Sequence, residues 1–251
     1  VDQLRQYLLK LKQTTDWKTT KATAEACYAL LLTGDDWLTT DPAPVIRVGD
    51  ITVKPDRAQA GTGYFEESWK DEAIKPSMGR VMVTSLKDGV QWGALHWQYL
   101  ERMDKITPHE SPFSLKKQVL LKQPTDAGAR LLELGPNARL SPGDRVTIRI
   151  ELRTDRHLDF VHLKDQRAAA FEPVEAISGY TWQGGLGYYQ SIRDAGMHFF
   201  FDHIAPGTYV FEYELKVTHA GEMSNGITSA MCMYAPEFSA HSEGDRVEVA
   251  P

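Results

Sequence analysis

Two cysteines, eight histidines and an aromatic run threaded with glycines are the side chains in this sequence best suited to chemistry. Acyl transfer needs a base, a nucleophile and an oxyanion site within reach of one another. No Gly-x-Ser-x-Gly elbow is present, and neither cysteine has a recognisable catalytic context. Cys27 lies among small residues of a helical pattern and reads as a packed thiol. Cys232, within Ala230-Met231-Cys232-Met233-Tyr234, reads as an inert thiol on a strand. The chain is therefore expected not to be an enzyme. His157 and His162 flank Leu158-Asp159-Phe160-Val161, and His198 and His203 flank Phe199-Phe200-Phe201-Asp202. A separation of five along a strand puts the two side chains on opposite faces, the wrong arrangement for one shared ion. Asp155, Asp159 and Asp165 lack the glycine-centred spacing of a calcium loop. No metal and no cofactor is expected.

Gly184-Gly185-Leu186-Gly187 has a superficial likeness to a phosphate-cradling loop, without the lysine or the following helix that would give it meaning. Its neighbours Tyr180, Trp182, Tyr188 and Tyr189 are more informative. Aromatic rings around glycines can form a flat platform for carbohydrate. They can equally pin a long loop over a sheet, and the sequence leaves both readings open.

These side chains sit in a chain of 251 residues that is 42% hydrophobic and 25% charged, enough apolar mass for sizeable cores. The net charge of −6 gives no electrostatic footprint for wrapping nucleic acid or coating an anionic membrane. No apolar run approaches the ~18 residues of a membrane-spanning helix. The chain opens Val1-Asp2-Gln3-Leu4-Arg5, with no initiator Met and no signal peptide, and is expected to be a piece of a longer protein.

Residues 1–34 read as two helices. Leu4, Tyr7, Leu8 and Leu11 form one apolar stripe, and the second helix begins near Lys21 with Thr19 or Thr20 as its N-cap and Gly34 as its stop. From Pro42 the pattern turns to strands. Val45–Val48 and Ile51–Val53 flank a Gly49-Asp50 turn, and Arg80–Thr84 is expected to pair with Val90–Tyr99. The clearest alternation follows Ser111: Val146, Ile148, Ile150 and Leu152 point one way, as do Tyr209, Phe211, Tyr213, Leu215 and Val217. Half-buried antiparallel strands with Pro/Gly turns predict a β-sandwich over 111–251, preceded by a smaller β-unit over 36–110.

Several of these segments resemble bacterial alpha-2-macroglobulins. Thr15-Asp16-Trp17-Lys18-Thr19-Thr20-Lys21-Ala22 and its continuation to Leu31 is similar to a helix of their α/α-toroid thioester domain. Trp92-Gly93-Ala94-Leu95-His96-Trp97-Gln98-Tyr99 resembles the CUB-like strands that follow that domain. The stretch from Leu140 through Leu163-Lys164-Asp165, Phe171-Glu172-Pro173 and Phe199–Tyr213 to Met233-Tyr234-Ala235-Pro236-Glu237 resembles their terminal macroglobulin-like domain.

The resemblance implies a mainly β fragment with three parts. Residues 1–35 would end a thioester-type toroid, 36–110 would be CUB-like, and 111–251 would be the terminal sandwich. Members of the family are protease traps: a protease cuts a bait segment, the molecule rearranges, and the protease is enclosed. In many members a Cys-Gln thioester then acylates a lysine of the protease. The partners implied are the upstream domains of the same chain, above all the thioester domain, with proteases as targets of the intact parent. A periplasmic or envelope location is implied too, and no nucleic acid. An aromatic of the terminal domain is implied to shield the thioester from water, and the matching positions are Met233 and Tyr234. The alternative for these two residues is packing at a domain seam. Cys-x-Glu-Gln is absent from the chain, so it cannot acylate a protease by itself. The alternative function is a carbohydrate-binding sandwich that uses Trp182, Tyr188 and Tyr189.

Overall fold

Where apolar residues alternate along the sequence, the chain folds into strands. The computed structural model describes residues 2–33, 43–55, 58–59, 63–86, 93–126, 128–134 and 139–251. Helices α1 (Asp2–Thr14) and α2 (Thr20–Thr33) come first, and antiparallel strands dominate the rest. Two compact units result. One holds Thr19–Ala94, the other Asp2–Lys18 together with Leu95–Pro251.

In the first unit, Thr19 caps α2 by accepting the Ala22 N–H at 3.1 Å on its hydroxyl, which satisfies one of the free donors of the first turn. Cys27 is exposed on this helix, so the expected packed thiol is corrected: Tyr28, Leu31 and Leu32 around it are exposed as well. Strands β1 (Val45–Val48), β2 (Ile51–Val53) and β3 (Val81–Thr84) form an antiparallel sheet in the order β2-β1-β3. The Gly49 turn has φ +58°, and a Cβ there would sit 2.9 Å from the Ser77 carbonyl, so both conformation and space call for glycine. Val48, Val53 and Met78 form the small core, packed against Phe65 and Trp69.

The expected partner of β3 is also corrected. β3 pairs with β1, while residues 93–100 form no strand and are exposed throughout. Strand propensity reflects fit to a half-buried pleated surface, and no described residue covers Leu95, Trp97 or Tyr99 to supply one. Gly34, the 87–89 turn, Val90 and Trp92 lie outside the described residues.

The second unit contains β4 (Phe113–Thr125), β5 (Gly128–Glu133), β6 (Arg139–Leu140), β7 (Arg145–Thr154), β8 (Leu158–Gln166), β9 (Phe171–Pro173) and β10 (Gly179–Gln183). These are followed by β11 (Leu186–Arg193), β12 (Gly196–Ile204), β13 (Gly207–Val217), β14 (Gly221–Gly226), β15 (Thr228–Cys232), β16 (Ala235–His241) and β17 (Asp245–Val249). A six-stranded sheet, β10-β11-β12-β8-β15-β16, shares one core with a five-stranded sheet, β5-β4-β7-β13-β9, and a small β14-β17-β6 sheet. Residues 95–110 join this unit through the paired backbones of His109 and His241 and the bond from Gly244 N–H to the Ile106 carbonyl.

Val146, Ile148, Ile150 and Leu152 are fully buried, as the alternation requires, and Phe211, Leu215 and Val217 are buried from the neighbouring strand. Tyr188, Phe199, Phe201 and Phe211 interlock at ring separations of 5.3–6.2 Å. A polar pin crosses this core. Lys117 on β4 lies 2.9 Å from Asp165 on β8, with side chains 6% and 0% exposed. Asp165 also accepts from Thr228 Oγ1 at 2.5 Å and from the Tyr213 hydroxyl, while Lys117 Nζ donates to the carbonyls of Gln166 and Asn225. Burial, reinforced by the Asp165 carboxylate, holds the Tyr213 phenol well above its usual range, so it stays a donor.

Candidate functional site

Helix α1 is held to the sandwich at its C-terminal end. Leu4 and Tyr7 of the expected apolar stripe are 74% and 63% exposed while Leu8 and Leu11 are half-buried, and polar groups tie down the end of the helix. Thr15 Oγ1 donates to the Leu11 carbonyl at 2.7 Å, closing the last turn. The buried Thr14 donates its hydroxyl proton to the His157 carbonyl at 2.8 Å. Just beyond, the Asp16 N–H donates to Asp159 Oδ2 at 2.9 Å and Lys18 Nζ to the same oxygen at 3.3 Å.

Asp159 is the centre of this arrangement. Its side chain is 3% exposed, and its second oxygen accepts from His203 Nδ1 at 2.5 Å. On the other side of the ring, His203 Nε2 faces His157 Nδ1 at 3.1 Å. Burial pushes the Asp159 carboxyl up. The bonds from His203, the Asp16 amide and Lys18 outweigh it and hold the group below its ordinary value.

The sign of the pH dependence follows. The carboxylate supports the fold above the ordinary carboxylate pKa of about 3.9, and that support is lost as pH falls through its lower folded value. An NMR titration of the Asp16 amide is expected to give a midpoint below 3.9 (about the unperturbed aspartate value). A midpoint at or above it would contradict the assignment.

Beside this latch of hydrogen bonds on Asp159 lies a cavity of about 370 Å³ between the α1 terminus and the β8, β15 and β16 strands, with Asp159, Phe160, Cys232 and Tyr234 on its wall. Met233 and Tyr234 form the tight turn from β15 to β16, 48% and 82% exposed. The Met233 N–H bonds the Phe160 carbonyl at 2.9 Å, and the Tyr234 ring meets Phe160 edge-on at 5.2 Å. Phe160 has φ +53°, a left-handed conformation that costs a bulky residue about 1–3 kcal/mol and is kept where the surroundings impose it. Cys232 is buried, and burial pushes its thiol up to about 11, so it is protonated at neutral pH.

The histidines pair across β8 and β12, not along either strand. His162 Nε2 and His198 Nδ1 face each other at 2.9 Å, with Phe200 stacked on His162 at 4.6 Å. Burial lowers both pKa values, with Lys164 adding to it at both rings, His198 at His162 and Arg193 at His198. Among the described residues no group of three or more His, Cys, Asp or Glu could hold a metal. The spacing within each strand could not show these pairs, because they depend on the register between two strands.

The aromatic cluster divides. Tyr180 and Trp182 are 86% and 78% exposed, and Tyr189 stands on the same face. Tyr188 is 3% exposed and faces the core, which corrects its place in the expected platform: adjacent residues of a strand point to opposite sides.

Residues 113–237 match the family model of the bacterial alpha-2-macroglobulin MG10 domain. The chain belongs to the bacterial alpha-2-macroglobulin family. The MG10 match takes in the sandwich strands from β4 into β16, and with them Asp159, Phe160 and the Met233-Tyr234 turn. No curated protein matches the sequence. Among solved structures, the chain is similar to Salmonella alpha-2-macroglobulin reacted with methylamine, at 14% identity and a TM-score of 0.47 over 59% of this chain and 10% of that one. It is also similar to trypsin-activated alpha-2-macroglobulin from Escherichia coli, at 12% identity and 0.45 over 58% and 11%. A third similar structure is native Escherichia coli alpha-2-macroglobulin from domain MG7 to the C-terminus, at 13% and 0.44 over 57% and 24%. The matched part thus spans about a tenth of the Salmonella chain.

Proposed function

We propose that this chain is the C-terminal, non-catalytic part of a bacterial alpha-2-macroglobulin-like protease inhibitor, and that its MG10 domain grips the preceding helical layer in the resting state. The observation that carries this reading is the latch, in which the backbone just after α1 is bonded to a buried carboxylate of the MG10 sandwich. On this reading residues 1–35 are the end of a thioester-type toroid and 36–110 a CUB-like unit. The upstream domains of the parent are its partners, proteases are the parent's targets, and the location is periplasmic or envelope-associated.

A few hydrogen bonds at one helix end suit a contact that has to release. Such a contact holds a domain in place and still yields when a rearrangement supplies a few kcal/mol, as switching assemblies require. Tyr234 then shields. Its exposed ring, steadied edge-on by Phe160, offers flat area beside the anchored helix, and Met233 fills gaps next to it.

The test is Tyr234→Ala in the longer protein. Free thiols are titrated over time and after methylamine, alongside a protease-protection assay. Faster loss of a thioester in the variant is the expected result. An unchanged decay rate, or protected protease with no thiol released, would leave Tyr234 as seam packing and the trap as purely steric. Failure to protect protease at all would remove the inhibitor reading.

A further inference from the structure

The outward face of β10 and β11 is neutral, aromatic and pre-arranged. Residues 176–192 contain no Asp, Glu, Lys or Arg, in a chain that is 25% charged. Trp182 stands directly opposite Gly187 in the ladder, and Tyr180 opposite Tyr189. A Cβ on Gly187 would fall 2.7 Å from Trp182 Cε3 and 2.8 Å from Cζ3, so the indole lies across the glycine backbone. One ring face is thereby fixed on the sheet and the other is left to solvent. Tyr180 leans edge-on against Tyr189 at 5.2 Å, which fixes a second ring next to the first. The Trp182 indole N–H and the hydroxyls of Tyr180 and Tyr189 form no hydrogen bond with any described residue.

We propose that this hairpin face binds a neutral oligosaccharide. A pyranose ring carries an apolar C–H face, which stacks on an aromatic ring, and a rim of hydroxyl groups, which need donors and acceptors beside that ring. The hairpin supplies both, with the rings immobilised before binding, so little ordering entropy opposes association. The lack of charge argues against a sulfated or phosphorylated ligand. The unused N–H and O–H groups argue against a purely apolar partner, which would bury them without a bond. The site is separate from the Asp159 latch and does not depend on the protease-inhibitor reading.

Isothermal titration and saturation-transfer NMR on the 251-residue chain, with cello- and chito-oligosaccharides as probes and dextran sulfate as the charged control, test the proposal. Binding of a neutral probe is expected, with Trp182→Ala and Tyr180→Ala each weakening it about tenfold and Trp182→Phe keeping most of it. Tyr180 is 86% exposed on an edge strand, so its variant reports on binding even if the Trp182 variant loosens the hairpin. No binding of either neutral probe at millimolar concentration overturns the proposal. Equal binding by both alanine variants, or tighter binding of dextran sulfate, overturns it too.

Discussion

Asp165→Ala is expected to destabilise the sandwich by about 3–5 kcal/mol, because it leaves the Lys117 ammonium buried without its counter-charge. For a unit of this size each kcal/mol moves the melting midpoint by about 2–4 °C, so thermal unfolding should drop by about 10 °C. The loss exceeds that of an ordinary surface pair because the carboxylate also receives Thr228 and Tyr213, and both lose their acceptor. Replacing Lys117 and Asp165 together by Met and Leu should recover part of the loss, since no charge is then buried. A single variant melting within ~1 °C of wild type, against the drop of about 10 °C expected, would mean that the two sheets are not pinned in this way.

The second large effect concerns the latch. Asp159→Ala removes the acceptor of His203, of the Asp16 amide and of Lys18 in one step. A hydrogen bond to a charged group contributes about 1.5–3 kcal/mol, and Lys18, 66% exposed, adds little to it. Hydrogen exchange at the Asp16 amide should therefore speed up by about tenfold to a hundredfold, while amides of β7 keep their protection. Lys18→Ala should leave the rate almost unchanged. Slow exchange at Asp16 in the Asp159 variant would show that α1 is held by something else.

The sandwich was legible because burial on one face writes period-two alternation into the sequence, as in Val146–Leu152 and Tyr209–Val217. The latch was not. It is made of Thr14, Asp16, Lys18 and Asp159, polar residues that carry no periodic signal, and its partners are more than a hundred residues apart. The apolar stripe of α1 marked a helix, but Leu4 and Tyr7 of that stripe face solvent. Residues 93–99 have the aromatic content of a strand but no covering surface among the described residues, and propensity without burial left them unpaired. Tyr188 was grouped with Trp182 and Tyr189 by proximity in sequence, although the alternation of a strand separates it from both. One further signal lies in the backbone and not in the sequence. Phe160 and the turn at Met233-Tyr234 interrupt otherwise regular strands, and irregular positions in a regular sheet are where function concentrates.

The most direct measurement is hydrogen exchange at the Asp16 amide in the longer protein, before and after a protease cleaves it. Strong protection before cleavage and its loss afterwards is the result expected if the MG10 domain grips the helical layer at rest and lets go on activation. Equal protection in both states would contradict a releasing latch.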